Sequence, residues 1–278
     1  MPEFSERDCL YMSQALRVAL NGVYTASPNP CVGCIIVAEN KVIGEGWHAA
    51  AGKAHAEINA LKMAGNKAKG ASAYVTLEPC SHVGRTGPCS EAFIKAGITS
   101  VITAMQDPFD EVSGKGIEEM RAAGIKVKVG LFEEEARKIN RGYLSRIERN
   151  RPFVRLKVAA SMDGATAMKS GESEWITGIE ARRDVQKLRA SSDAILTGVG
   201  TILDDNPLMN LRDTSYTDKQ PLRIILDSYL RTPEDAKIFR SEGSTTIFCL
   251  EDKDRSKYNN KTVSIIKVAE KNKRVDLF

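Results

Sequence analysis

Three residues do most to restrict how this chain can fold: His55, Cys80 and Cys89. His55 opens a helical pattern as His55-Ala56-Glu57, and Cys80 closes a strand pattern as Thr76-Leu77-Glu78-Pro79-Cys80. A neutral imidazole and two thiolates are three ligands suited to zinc, and they leave the fourth tetrahedral position open to water. A fold that uses them must seat a helix start beside a strand end. Glu57, two residues past the imidazole, need not touch the metal. It is placed to take a proton from a metal-activated water and pass it on to a ring nitrogen and departing ammonia.

The spacing of the cysteines is unusual. The commonest version of a His-x-Glu, Pro-Cys…Cys zinc deaminase signature has two residues between the cysteines, whereas eight intervene here, Ser81 to Pro88. A loop with Gly84, Gly87 and Pro88 can fold back on itself, and it offers His82 and Arg85 to an anionic substrate group. Cys31 and Cys34 form a rival pair three positions apart in a strand, where side chains diverge, so packing is the favoured reading for them. His48 reads as a loop residue near the pocket, because a fourth protein ligand would close the metal site.

At 278 residues the chain is nearly twice the ~150 of a typical domain, which predicts two compact units. The first alternates in type. A helix over 6–21 is followed by a hairpin of strands 32–38 and 41–47, turned at Glu39-Asn40. Helices 54–69, 90–96 and 116–123 then alternate with strands 73–77, 101–105 and 126–129, and one charged helix covers 132–149. After Arg151-Pro152 the alternation restarts with strand 153–160, helix 178–190, strand 194–197 and strand 222–227. The reading is α/β throughout, with domains at 1–147 and 148–278. Gly198-Val199-Gly200 is a weak phosphate-loop hint that an ordinary turn explains as well.

Charge and composition exclude several classes. Forty basic against 36 acidic residues leave a net charge of +4, spread over both halves, so no nucleic-acid partner is expected. No apolar run approaches the ~18 residues of a membrane span. The opening residues, with Glu3, Glu6 and Asp8, do not read as a secretion signal, so a cytoplasmic chain with reduced thiols is expected.

The chain resembles the bifunctional riboflavin-biosynthesis deaminase/reductase family. In the first unit the likeness rests on Ser27-Pro28-Asn29-Pro30, Val32-Gly33-Cys34, Gly44-Glu45-Gly46 with His48, His55-Ala56-Glu57, Tyr74 to Ser81, Gly84-Arg85-Thr86 and Pro88-Cys89. The resemblance implies a three-layer cytidine-deaminase-like domain that deaminates a diaminopyrimidine ribosylamine 5′-phosphate. Glu57 would be catalytic, His55, Cys80 and Cys89 the zinc ligands, and Asn29, His82 and Arg85 substrate contacts. A zinc deaminase of another nucleobase or nucleotide, with a non-catalytic second domain, is the alternative.

In the second unit the likeness rests on Leu156-Lys157, Ser161-Met162-Asp163-Gly164, Gly171-Glu172-Ser173, Trp175-Ile176-Thr177 and Asp205-Asn206-Pro207. It implies a dihydrofolate-reductase-like domain that uses NADPH to reduce the ribose to ribityl. Ser173, Arg189 and Arg212 would bind substrate, and Ala159, Trp175, Thr201, Asp205 and Ser228 the cofactor. The family's domain continues for roughly another half-domain, with a late glutamate and a glycine-rich cofactor loop. The expectation is therefore a reductase domain incomplete at its C-terminus and impaired in turnover, in a homo-oligomer acting on a small pyrimidine ribonucleotide.

Overall fold

A computed structural model describes residues 4–81, 87–172, 175–250, 255–258 and 262–276. The chain separates into two compact units, residues 1–156 and 157–278.

In the first unit, helix α1 (Glu6–Ala19) opens on a capping box in which the Ser5 hydroxyl accepts from the Asp8 amide and the Asp8 carboxylate accepts from the Ser5 amide. Strands β1 (Gly33–Ala38) and β2 (Lys41–Trp47) form the expected hairpin. Its turn residues Glu39 and Asn40 take φ of 50° and 61°, the left-handed pair that matches the twist of the strands. Then follow α2 (Ala56–Ala64), β3 (Ser72–Val75), α3 (Cys89–Ala96), β4 (Ser100–Thr103), α4 (Lys115–Ala122), β5 (Lys126–Val129), α5 (Glu133–Ile139) and α6 (Arg141–Arg149). The sheet order is β2-β1-β3-β4-β5, with β1 antiparallel to both neighbours and β3, β4 and β5 parallel.

Strand alternation divides the core between the two faces of this sheet. Ile35, Val37, Tyr74 and Ile102 pack with Met12, Ala15 and Leu16 of α1 and Leu144 of α6. Cys34, Ile36, Ala73, Val75 and Val101 pack with Ala56 and Ala60 of α2, Phe93 of α3 and Met120 of α4. The result is the three-layer arrangement that the family resemblance implies.

The single helix expected over 132–149 is two helices. Asn140 breaks it, with φ −103° and ψ 23°, because its buried amide bonds across to Cys31 instead of facing water. The Cys31 amide donates to Asn140 Oδ1 at 2.7 Å, and Asn140 Nδ2 donates to the Cys31 carbonyl at 3.0 Å.

The second unit contains α7 (Ile179–Ala190), β6 (Ala194–Gly198), α8 (Val199–Asp205), β7 (Leu222–Leu226), β8 (Thr245–Cys249) and β9 (Val263–Lys267). Short 3-10 helices cover Lys237–Phe239 and Arg255–Tyr258, and a small ribbon of β10 (Glu270–Lys271) and β11 (Arg274–Val275) follows. Strands β6-β7-β8-β9 form a parallel sheet over Val199, Ile202, Ile225, Ile247 and Ile265. The strand expected over 153–160 does not form. Its alternating pattern suits a strand, but a strand needs a hydrogen-bonded neighbour, and no described strand pairs with it; Val154, Leu156 and Val158 stand exposed. Gly198-Val199-Gly200 is the start of α8 rather than a simple turn.

Candidate metal centre and catalytic pocket

Two glycines on one face of β2 seat the helix that carries the candidate catalytic residues. A Cβ at Gly44 would lie 2.3 Å from the Ala60 carbonyl oxygen, and one at Gly46 2.3 Å from that of Ala56. Helix α2 thus rests directly on the strand backbone, which fixes the position of its N-terminus. There His55 is the N-cap, in extended geometry, and Glu57 lies in the first turn, only 3% exposed.

The two cysteines meet through a helix start. Cys89 is the first residue of α3, and the next amide, that of Ser90, donates to the Cys80 carbonyl at 3.1 Å. The Ser90 hydroxyl reaches Glu119 of α4 at 2.5 Å, which ties a third element to the same corner. Sequence separation between the cysteines is therefore immaterial to their approach.

His55, Cys80 and Cys89 form one group whose ligand atoms all lie within 4.8 Å of one another. His55 Nδ1 is 3.5 Å from Cys80 Sγ and 3.3 Å from Cys89 Sγ. Bonds of ~2.0 Å to nitrogen and ~2.3 Å to sulfur at the tetrahedral angle would separate N and S ligands by ~3.5 Å. The donor set and its spacing therefore fit zinc, with His55 bonding through Nδ1. Among the described residues neither His48 nor the Cys31 and Cys34 pair joins this group.

Electrostatics follow from burial and mutual contact. The Cys80 thiol is held down to about 4 by its hydrogen bonds with Cys89 and His55, and the Cys89 thiol is pushed up by the same contact with Cys80 and by burial. Burial and the negative charge on Cys80 raise the Glu57 carboxyl to about 7, against the pull of its backbone amide and of His55. Such a group holds or releases a proton near neutrality, as a proton shuttle must. Burial pushes the Cys31 thiol to about 11 and Cys34 higher than its ordinary range, in keeping with packing roles.

Asn29 and His48 lie beside this centre. The His48 ring stands edge-on to that of His55, with centroids 5.4 Å apart and planes at 89°. Its Nε2 is 3.0 Å from Asn29 Nδ2 and its Nδ1 3.2 Å from the Ala54 carbonyl. Burial keeps the imidazole below the usual histidine range. His82 and Arg85, along with Ser173, lie outside the described residues.

Glu78 was not singled out by sequence reasoning. It is buried two residues before Cys80 and accepts from the amides of Asp107 at 3.2 Å, Gly114 at 2.9 Å and Ile117 at 3.2 Å. Burial outweighs these bonds and raises its carboxyl above the ordinary range. A charged residue directly after a buried apolar strand was the available signal.

In the second unit, the half-buried Arg189 guanidinium is lowered by burial and by the nearby charge of Arg212. Arg189 donates to the Asn210 carbonyl, and the Arg212 amide donates to Gln186. A cavity of about 450 Å³ opens here, lined by Arg182, Arg183, Gln186 and Arg212 among others. Trp175 is covered by the Arg182 guanidinium at 4.3 Å. Thr201 and Asp205 share α8, Ser228 follows β7, and Ala159 is in the segment that forms no strand.

Residues 5–105 match the cytidine and deoxycytidylate deaminase zinc-binding region, and residues 152–277 match the RibD C-terminal domain. The riboflavin biosynthesis protein RibD of Haemophilus influenzae is 47% identical over 265 residues, covering 91% of this chain and 71% of that protein. The chain belongs to the RibD family. The Escherichia coli RibD protein is 48% identical over 250 residues, covering 86% of this chain and 68% of its own. Among solved structures, Acinetobacter baumannii RibD superposes with a TM-score of 0.87 at 44% identity, over 95% of this chain and 75% of that one. A Thermotoga maritima deaminase/reductase superposes with a TM-score of 0.86 at 34% identity, over 93% and 73%. This RibD chain accordingly joins a zinc-dependent deaminase domain to a reductase domain of riboflavin biosynthesis, with zinc and NADPH as their cofactors. Thr201 and Ser228 follow the carboxyl ends of β6 and β7, the end at which open parallel sheets take ligands, while Asp205 lies at the far end of α8. No helix among the described residues is long and apolar enough to cross a membrane.

Proposed function

We propose that the first unit hydrolytically removes the ring amine of 2,5-diamino-6-ribosylamino-4(3H)-pyrimidinone 5′-phosphate, and that the second reduces the ribose of the product to ribityl with NADPH. The observation that carries the first step is the convergence of His55, Cys80 and Cys89 with the buried Glu57 carboxyl at the same helix start. Zinc held by these three side chains would activate a water for attack on an electrophilic ring carbon. Glu57 takes the proton from that water at a carboxylate oxygen, delivers it to the adjacent ring nitrogen, and assists departure of the exocyclic amine as ammonia. A C–O bond forms and a C–N bond breaks, with no change of oxidation state. Asn29 orients the base, and His82 and Arg85 contact the substrate, with its 5′-phosphate the anionic group to be held.

For the second step Ser173, Arg189 and Arg212 hold the substrate, the arginines facing phosphate, while Ala159, Trp175, Thr201, Asp205 and Ser228 contact the cofactor. The closeness of Arg189 and Arg212 supports the phosphate assignment, since two neighbouring guanidinium groups gain most when an anion lies between them. We place the junction of the two activities near residues 147–152, a few residues before the division of the two compact units between 156 and 157. Ligation by two thiolates requires reduced cysteines, which supports a cytoplasmic setting. Assembly into a homo-oligomer belongs to the same proposal, on family resemblance.

Incubation with the diaminopyrimidine nucleotide, with and without NADPH, separates ammonia release from cofactor oxidation. Glu57→Gln should keep the wild-type zinc content and lower ammonia release by roughly 10²–10⁴-fold. A variant that keeps its zinc and releases ammonia at the wild-type rate would remove Glu57 from the mechanism.

A further inference from the structure

His48 is used at both ring nitrogens, and the two contacts together determine what Asn29 can show to a substrate. The Ala54 carbonyl, 3.2 Å from Nδ1, can only accept, so Nδ1 carries the ring proton. Burial of His48 disfavours the imidazolium, so in the neutral ring Nε2 has a bare lone pair, and the group of Asn29 that meets it at 3.0 Å must be the NH2. Rotating the Asn29 amide by half a turn would set its oxygen against that lone pair. The alternative His48 tautomer would cure this clash only by turning a bare Nδ1 on the Ala54 carbonyl. His48 is itself held on both sides: its amide donates to the Val32 carbonyl at 3.0 Å, and its ring abuts His55. The half-buried Asn29 side chain therefore has its Oδ1 on the side away from His48.

We propose that His48 is a positioning residue which, as the Nδ1–H tautomer, locks the Asn29 amide with its oxygen toward the substrate ring, so that the pocket selects a base offering an N–H or NH2 donor there. The proposal rests on the deaminase reading above and names a determinant of its specificity. His48 acts through Asn29 and does not itself touch the reacting atoms. A base that presents an acceptor at this position meets oxygen against oxygen and is rejected.

Two measurements test it on the zinc-loaded enzyme. The chain has only three histidines, so imidazole nitrogen NMR resolves each ring, with His48→Gln identifying the His48 signals. The expected spectrum has a protonated Nδ1 and an unprotonated Nε2 at His48; a protonated Nε2 would overturn the proposal. Kinetics with the diaminopyrimidine nucleotide give the second test. His48→Phe, which keeps the ring but neither nitrogen, should raise KM about tenfold, the value of one well-placed hydrogen bond. His48→Gln, which can offer an acceptor to Asn29 and an N–H to Ala54, should recover most of that loss. In an Asn29→Ala background His48→Phe should add less than about a twofold change, because effects that pass through one group are not additive. Equal effects of His48→Phe with and without Asn29 would overturn the proposal, whether His48 then contacts substrate or merely packs. A wild-type enzyme that releases no ammonia from this nucleotide would instead refute the deaminase reading, and the spectrum would still decide the tautomer.

Discussion

Asn140 offers the sharpest energetic test of how the pocket wall is held. Its amide gives one acceptor and one donor to the Cys31 backbone, at 2.7 Å and 3.0 Å, and the residue is 4% exposed. Asn140→Ala leaves a buried N–H and a buried C=O without partners at about 1–2 kcal/mol each, so a loss of roughly 2–4 kcal/mol is expected. At about 2–4 °C per kcal/mol for a unit of this size, the first domain should melt roughly 4–16 °C lower. Asn140→Asp is the discriminating variant. At neutral pH its carboxylate still accepts from the Cys31 amide but opposes the Cys31 carbonyl, and it is buried as a charge. Its folded pKa must therefore rise above the ordinary ~3.9. A raised folded pKa means stability present at low pH and lost as pH climbs through the folded value, because the folded state then holds the extra proton. Urea denaturation followed by circular dichroism should show Asn140→Asp falling further below wild type between pH 5 and pH 8, with Asn140→Ala offset by a constant amount. Since Cys31 is two residues from Asn29, both variants should raise KM more than they change zinc content. An Asn140→Ala protein within about 0.5 kcal/mol of wild type, no more than the weakest single hydrogen bond contributes, would refute the reasoning.

Two further outcomes follow from close contacts elsewhere in the first unit. Gly46→Ala places a Cβ 2.3 Å from the Ala56 carbonyl and 2.6 Å from the Ala60 amide, both backbone, so α2 must move; a loss of about 1–3 kcal/mol is expected, with reduced zinc content because His55 travels with the helix. Wild-type zinc loading and stability in that variant would contradict the seating of α2 on β2. Tyr74→Phe removes the hydroxyl that donates to Asp8 at 2.8 Å and should cost about 0.5–1.5 kcal/mol at neutral pH, toward the low end because Asp8 is partly exposed. Burial works to raise the Asp8 carboxyl, but bonds from Ser5 and Tyr74 prevail and lower it. Its stabilisation is thus present above the ordinary carboxyl pKa of ~3.9 and lost as pH falls through the lower folded value. The gap between Tyr74→Phe and wild type should close over that acid range, and a gap independent of pH would show that Asp8 does not mediate it.

The ligand chemistry was legible because residue type carries it. An imidazole, two thiols and a carboxyl announce themselves wherever they fall, and the hairpin turn at Glu39-Asn40 is equally local. The element types of the first unit followed from periodicity for the same reason, down to small helices such as α3. The second unit was read less fully: α8 is short and opens on a glycine run that reads as a turn, while β8 had no alternation to mark it, being buried at four of its five positions. The segment 153–160 shows the converse, a strand pattern without a strand, since pattern supplies a face and pairing must come from elsewhere.

What lay beyond reading were bonds between distant positions that decide where local elements stop. Nothing in the charged run from Glu133 to Arg149 announces that Asn140 will turn inward and bond to Cys31, 109 positions away. Glu78 is similar: its carboxyl gathers amides from Asp107 to Ile117, and the close approach needs glycine at 116, where a Cβ would lie 2.0 Å from the Pro79 carbonyl oxygen. Both devices use one buried side chain to satisfy several backbone groups that no strand or helix reaches, the places where an irregular backbone would otherwise be costly to bury. Both also stand next to residues of the site, Asn140 holding the segment that contains Asn29 and Glu78 the turn that leads to Cys80. The chemistry of the pocket thus depends on its ligands for reactivity and on these remote amide and carboxyl contacts for shape, so variants at Asn140 should disturb substrate recognition before they disturb metal.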